Sequence, residues 1–390
     1  MKILVRSTNW LGDAVMSTPA LLRLREKFPR AHIAILAAEK LRELWLNHPA
    51  VNETISFAPG ESVFSIGKRL RRWGERPREP DLARQNVDAA RGDARPTGFD
   101  VALVLPNSPR SALEVFLAGI PQRIGYARPW RNFLLTQAVA PRAGAVKMRK
   151  RSAAEIRQIV AQPEIQIANR KSQIANPLAH QIFEYLHLAA VLGANPGPLA
   201  PQLFVMPEEV DAVKEKFGLG KIDRPVIGLN PGAEYGPAKR WPVEKFIAAA
   251  KEIQQRTNCV WLLFGGKGDA AVTSQIASQL PTSNFQLLNL SGQTSLRELM
   301  SLLKLCRVLL TNDSGPMHVA AALGTPVVVP FGSTSPELTG PGLPGDGRNR
   351  LLKSDAPCSP CFLRECPVDF RCMNGIGVEQ VVEAVISAVC

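Results

Sequence analysis

No stretch of this sequence is both long and apolar enough to cross a bilayer, so a helical membrane anchor is not expected. The N-terminus carries no secretory pattern, because residues 1–5 read as a strand and Arg6 and Asp13 interrupt any apolar core. The protein is therefore expected in the cytoplasm, with its seven cysteines reduced. No Gly-x-Gly-x-x-Gly follows the first apolar run, which disfavours a nicotinamide-dependent oxidoreductase. A Walker A sequence is missing too, and no Asp-x-Asp pair stands near a strand end to hold a catalytic metal. Aromatic residues are scarce. Only Trp73, Trp130 and Phe133 interleave with the basic runs, which is thin support for a surface that stacks nucleic-acid bases.

What the chain does have is positive charge and regular alternation. Its 390 residues suffice for two domains with their own cores, and 45% hydrophobic with 21% charged residues is ordinary globular composition. The formal net charge of +13 points to an acidic partner, and the cations gather in two runs, residues 68–78 and 128–151. Apolar runs alternate with helical periodicity throughout, the signature of an α/β protein with parallel sheets. KILVR, HIAILAA and DVALVLP read as strands in the first half, with helices expected over 14–27 and 111–118. PVIGLNPG, CVWLLFGG, FQLLNLSG, RVLLTNDSG and PVVVPFG read as strands in the second. Pro207 opens a short charged helix before PVIGLN, so two doubly wound domains are expected, residues 1–206 and 207–390. Two stretches break the rhythm: 68–97, rich in Arg, Pro and Gly, and 165–177, where QIAN occurs twice. Both read as surface insertions without chemistry of their own.

Three loops at strand ends in the second half suit a nucleotide. In TNDSGPMH, Asp313, Ser314 and Gly315 end a strand and Pro316 opens a helix at a position where its missing N–H costs nothing. Free amides and the positive end of the helix dipole then favour a diphosphate, although Asp313 or Ser314 could equally be a plain helix cap. In NPGAEYGPAKRWP, Lys239 and Arg240 precede a helix, a good position for a phosphate contact or for a solvated surface pair. In FGGKGD, Asp269 is available to a ribose.

The first loop, STNWLGDAV, is different. It has one glycine, Gly12, and beside it a carboxylate, Asp13, whose charge would repel a phosphate. Asp13 makes sense as a base that takes a proton from an incoming hydroxyl, or else as a helix cap. Near the C-terminus, within 358–372, Cys358, Cys361, Cys366 and Cys372 form a C-x2-C-x4-C-x5-C array. That spacing allows four thiolates to converge on a structural zinc, with no open position for catalysis, or four unpaired thiols.

RSTNWLGDAVMSTPAL, LPNSPRSAL with AGIPQRIGY, NPGAEYGPAKRWP, TNDSGPMHVAAALGTPVV and CSPCFLRECP with its following CM together resemble the ADP-heptose–lipopolysaccharide heptosyltransferases. The motifs occur in order over most of the chain, and the two irregular stretches depart from the pattern. The resemblance implies a GT-B fold, two Rossmann-like domains facing a cleft, with the donor in the C-terminal domain and the acceptor in the N-terminal one. It implies Asp13 as catalytic base, Lys239 on the donor diphosphate, and Asp313, Ser314 and Gly315 around heptose and phosphates, with His318 close by. Thr8, Asn9, Gly12 and Asp269 complete the expected donor contacts. Asn107, Ser108, Arg110, Arg123, Arg128 and Arg131 are the expected acceptor contacts.

The implied reaction is a metal-independent, inverting transfer of heptose from ADP-heptose to the heptosyl-Kdo-lipid A inner core of lipopolysaccharide, with no cofactor required. The basic N-terminal half is expected against the anionic cytoplasmic surface of the inner membrane, with no nucleic-acid partner. Competing readings are a related transferase acting at the first or third heptose, and a basic nucleic-acid-binding protein with a zinc module.

Overall fold

A computed structural model describes residues 1–73, 98–146, 148–162, 177–220, 222–280 and 286–389. The first half builds β1 (Lys2–Arg6), α1 (Leu11–Met16), α2 (Thr18–Lys27), β2 (His32–Ala38), β3 (Glu53–Phe57), α3 (Val63–Arg71), β4 (Val101–Val104), α4 (Pro109–Leu117), β5 (Gln122–Tyr126) and β6 (Gln137–Val139). Helices α5 (Ala153–Ala161), α6 (Ile182–Ala190) and α7 (Pro207–Lys216) lead to the second half. There follow β7 (Val226–Asn230), α8 (Val243–Thr257), β8 (Val260–Leu263), α9 (Ala270–Gln279), β9 (Gln286–Asn289), α10 (Leu296–Leu305), β10 (Val308–Thr311) and α11 (Gly315–Ala322). The chain ends with β11 (Val327–Phe331), α12 (Pro336–Thr339), β12 (Arg350–Lys353), α13 (Arg371–Asn374) and α14 (Val378–Val389).

Two six-stranded sheets result, ordered β3-β2-β1-β4-β5-β6 and β12-β11-β10-β7-β8-β9, with every pairing parallel. Both have the same doubly wound order. Each reverses direction at one pair, β1/β4 in the first and β7/β10 in the second, and a ligand crevice opens beyond the carboxyl ends of such a pair. The central strands are apolar throughout because both faces are covered: Ile3, Leu4, Ile227 and Leu229 are fully buried. One apolar core runs through both halves, joining Ile3, Val5 and Leu103 to Leu309, Met317 and Phe331.

The strands read from sequence are all present. β3, β5, β6 and β12 were not foreseen, being short and half-polar (ETISF, QRIGY, QAV, RLLK). The single helix expected over 14–27 is two helices, α1 and α2. Pro19 has no N–H to give the preceding turn, and the hydroxyls of Ser17 and Thr18 bond the carbonyls of Ala14 (2.7 Å) and Val15 (2.9 Å) instead. The irregular stretch 68–97 begins inside a helix, since α3 continues to Arg71. Residues 74–97 and 163–176, the bulk of both expected insertions, lie outside the described residues. No helix among the described residues is long and apolar enough to cross a membrane.

The halves are clasped by Arg297, at the start of α10. Its backbone N–H bonds the Glu43 carboxylate at 3.0 Å, and its guanidinium reaches the carbonyls of Leu46 (3.2 Å) and Phe204 (3.0 Å) and pairs with Glu209.

Candidate active site

Helix α1 follows β1 and helix α11 follows β10, each at the reversal point of its own sheet, and their first turns abut. The contact depends on two glycines. A Cβ on Gly12 would stand 2.6 Å from the His318 ring, and one on Gly315 would stand 2.8 Å from the Leu11 side chain. Both distances are shorter than a real Cβ contact, so only glycine lets the two helix starts come this close.

Asp13 sits in the first turn of α1. It does not cap the helix: Trp10 is the N-cap, and the Asp13 carboxylate instead accepts a 2.9 Å hydrogen bond from Gln181. Burial drives the Asp13 carboxyl up to about 6, partly countered by that hydrogen bond and by the Lys239 charge. Asp313, the next carboxylate across the cleft, pushes in the same direction as burial.

On the facing side, Lys239 Nζ lies 2.6 Å from Asp313 Oδ2 and 4.9 Å from the Tyr235 ring centroid. Asp313 is buried and also accepts a hydrogen bond from Thr334. Ser314 is the N-cap residue of α11 but makes no side-chain cap, and its hydroxyl is bonded by Asn230 at 3.2 Å. The cap reading of Asp313 and Ser314 is therefore not what the structure shows, and the amides opening α11 face the cleft uncapped by them. Asn230 also bonds Thr311 (3.0 Å), tying the ends of β7 and β10 together. His318 is buried against Gly12, and burial lowers its imidazole to about 4, so it stays neutral.

Asp269 lies where β7 and β8 end, its carboxyl within 2.4–2.6 Å of where a Gly232 Cβ would be, and it accepts from the Gly266 N–H at 2.9 Å. In the first loop, Thr8 is buried with its hydroxyl unpartnered among the described residues, and exposed Asn9 is held by Arg6 at 3.0 Å.

The residues expected on the acceptor are less uniform. Asn107 and Ser108 stand exposed where β4 ends, with Ser108 capping α4 at 3.2 Å. Arg128 is half-buried on the same rim, over the Tyr126 ring. Arg110 is engaged with Glu114 (3.3 Å) and with the Glu61 carbonyl. Arg123 sits at the opposite, amino end of β5, bonded to the Leu134 carbonyl at 2.8 Å and to the Ile120 carbonyl. Arg131 is fully buried, its Nη1 on the Pro106 carbonyl at 2.6 Å and its Nε and Nη2 unpartnered among the described residues. Burial and the Arg128 charge lower it to about 10.

Among the described residues, no group of three or more His, Cys, Asp or Glu is placed to hold a metal ion. The thiols of the cysteine array are neighbours nonetheless. Burial, then the nearby thiols of Cys358, Cys361 and Cys366, pushes Cys372 up to about 12. Their segment braces the loops that follow β7 and β11: the Arg364 carbonyl accepts from the Ala238 N–H (2.9 Å), and Cys361 N–H bonds the Ser333 carbonyl (3.0 Å), next to Thr334.

Gln181, Thr334 and Asn230 escaped the sequence reading. Asn230 and Thr334 each follow or end an apolar strand, a signal that could have found them. Gln181 has no such signal, because its link to the site is a fold contact with the first turn of α1, 168 positions away.

The model of glycosyltransferase family 9 (heptosyltransferase) matches residues 93–370 of this chain. The chain is 34% identical over 349 residues to lipopolysaccharide heptosyltransferase 2 of Escherichia coli strain K12, covering 87% of this chain and 85% of the relative. It is 33% identical over 342 residues to the protein of the same name from Salmonella typhimurium, again covering 87% and 85%. Among solved structures, that of E. coli ADP-heptose lps heptosyltransferase II superposes with a TM-score of 0.74 at 28% identity, covering 100% of this chain and 98% of the other.

Proposed function

The chain belongs to glycosyltransferase family 9, the heptosyltransferases, and on that premise we infer that it transfers a heptose from ADP-heptose to the inner core of lipopolysaccharide. The observation that carries this reading is the meeting of Asp13, on α1, with the Lys239–Asp313 pair and the start of α11 across two glycines. A carboxylate raised to about 6 is a stronger base than an ordinary one, yet it remains mostly ionised at neutral pH. The second half would hold the donor and the first half the acceptor, with the division between them near residue 206.

In this reading Asp13 removes the proton from an acceptor heptose hydroxyl. The oxygen attacks the donor's anomeric carbon from the face opposite the diphosphate, so the configuration inverts in one step. The bond to the diphosphate breaks and its electron pair leaves with ADP. Lys239 and the opening amides of α11 stabilise the charge that grows on the leaving group. Ser314 and Gly315 line its path, Asp269 takes the ribose, and Thr8, Asn9 and Gly12 close the donor side from the first loop. Asn107, Ser108 and Arg128 suit the acceptor's anionic groups better than Arg110 or Arg123, which are already engaged. The deciding experiment is mass spectrometry of lipopolysaccharide truncated after its first heptose, incubated with ADP-heptose and purified protein. A gain of one heptose supports the reading, and no gain on this acceptor but gain on the Kdo-lipid A precursor shifts it to the first heptose.

The leaving group's charge is met here by an ammonium and helix amides, so the reaction is expected to need no divalent metal. Transfer should persist at its full rate in excess EDTA. A rate that collapses and returns only with magnesium or manganese would show a different leaving-group chemistry.

The basic run places its charge in the half that would hold the acceptor, whose lipid anchor lies in an anionic membrane surface. Arg149 and Lys150 are exposed, although Arg149 is shared with Glu155, and Lys147 lies outside the described residues. Reversing Arg128, Arg149 and Lys150 to glutamate should raise the acceptor KM and weaken binding to anionic vesicles at low salt, while ADP affinity stays unchanged. The effect should shrink as added salt shortens the Debye length toward about 8 Å. Wild-type acceptor kinetics and vesicle binding at low salt would remove this run from the membrane-facing role.

A further inference from the structure

Asp13 has one protein partner that nothing above assigns to the reaction. Gln181 is the N-cap residue of α6, and its side-chain amide nitrogen donates both of its hydrogens. One goes to Asp13 Oδ1 at 2.9 Å, the other to the Tyr185 hydroxyl oxygen at 2.8 Å. With both N–H groups committed, the amide cannot rotate its oxygen toward the carboxylate without placing two acceptors against each other. Among the described residues no hydrogen bond is made to Asp13 Oδ2, so the oxygen left over is the one free to receive a proton.

The backbone at this point is fastened to the other sheet's half. The Gln181 N–H bonds the Leu338 carbonyl at 2.9 Å, in α12. The ring of the preceding residue, His180, bonds the Gly340 carbonyl through Nε2 at 3.0 Å, and its Nδ1 accepts the Ile182 N–H at 3.3 Å. Those two bonds select the neutral tautomer with hydrogen on Nε2, and burial, which lowers this imidazole to about 4, keeps it neutral. The clasp is thus independent of pH through the neutral range.

We propose that Gln181 is a positioning residue for Asp13: it fixes the carboxylate by one oxygen, presents the other to the acceptor hydroxyl, and is itself held by the bonds of residues 180 and 181 to Leu338 and Gly340. The geometry makes the base's orientation depend on the docking of α12's segment onto α6, so base and donor domain are assembled together. This rests on Asp13 being the base.

The charged and titratable groups around Asp13 are Lys239, Asp313, Tyr185, His318 and His180, from three segments: the start of α6, the loop after β7, and the β10–α11 stretch. Burial and Asp313 favour its protonation, whereas Gln181 and Lys239 favour the carboxylate. Losing the Gln181 donor should therefore raise the pH at which the base is lost, an effect that a packing defect alone does not produce.

The test is the pH profile of kcat for Gln181→Leu and Gln181→Glu beside wild type, with thermal melting and ADP binding measured on each. For Gln181→Leu we expect kcat to fall about 10- to 100-fold, the donor KM to stay within about 2-fold, and the acid limb to move upward. Gln181→Glu should move the limb further, because two adjacent carboxyl groups must share a proton. A folded variant whose acid limb coincides with wild type overturns the proposal, whatever its kcat. If Gln181→Leu does not fold, Gln181→Glu decides on the same criterion. Should Asp13→Asn itself retain turnover, the base assignment falls. An inactive Asp13→Asn together with unmoved limbs in both Gln181 variants overturns the positioning role alone.

Discussion

Asp13→Asn should turn over about 10²- to 10⁴-fold more slowly than the wild-type enzyme, with ADP affinity within about 2-fold of it. The amide is nearly isosteric and can still meet Gln181 through its own oxygen, so the first turn of α1 and its packing on α11 should survive. What is lost is the lone pair that takes the hydroxyl proton. The same substitution makes an opposite prediction for stability. The folded-state carboxyl sits at about 6, above its ordinary value of 3.8, so the unfolded chain binds fewer protons than the native one between those values. The penalty is absent below about pH 4, grows as pH rises, and is complete above about pH 6. Asp13→Asn should therefore melt higher than wild type at pH 7 to about 8, by on the order of 3 kcal/mol of stability, and the gap should close by about pH 4. A slow variant with this pH-dependent gain marks a site that gives up stability for function. Near-normal turnover would leave Asp13 a structural residue.

Lys239→Ala carries the second largest expected effect, a loss of about 10²- to 10³-fold in kcat/KM together with weaker ADP binding by calorimetry. Two causes add. The ammonium that would face the diphosphate is removed, and Asp313, which lies 2.6 Å from it and is almost wholly inside the protein, is left facing two phosphates with no counter-charge. Lys239→Ala combined with Asp313→Asn should accordingly recover part of the ADP affinity lost in the single variant. ADP affinity and kcat/KM both equal to wild type in Lys239→Ala would take the lysine out of the site.

The elements that were legible in advance share one property, which is that neighbouring residues decide them. KILVR, PVIGLN and CVWLLF are apolar on both faces and lie at the centres of their sheets, where helices cover both sides. ETISF and QRIGY have mixed polarity, and strand neighbours supply the pairing that their own side chains do not advertise. The same contrast runs through the site. Asp13, Lys239 and Asp313 could be picked out because each stands in the few residues that follow a strand, where a chemical residue type is conspicuous. Arg110 and Arg123 were conspicuous by the same rule, yet the fold engages one with Glu114 and sends the other to the wrong end of β5. The cysteine array shows the limit most plainly: its spacing permits convergence, yet among the described residues no group of three or more ligating side chains is placed to hold a metal ion.

By itself the sequence determined the alternation of strand and helix, the parallel doubly wound class, and the loops where chemistry can sit, because hydrophobic periodicity and glycine or proline at strand ends act over a few residues. Only the tertiary structure decided that α1 and α11 meet nose to nose, that Gln181 reaches Asp13 from 168 positions away, and that Lys239 rests on Asp313. It also set the carboxyl of Asp13 near 6. Those outcomes depend on which surfaces are brought out of water against one another, and desolvation and close approach are properties of the assembled chain, not of any local run of residues.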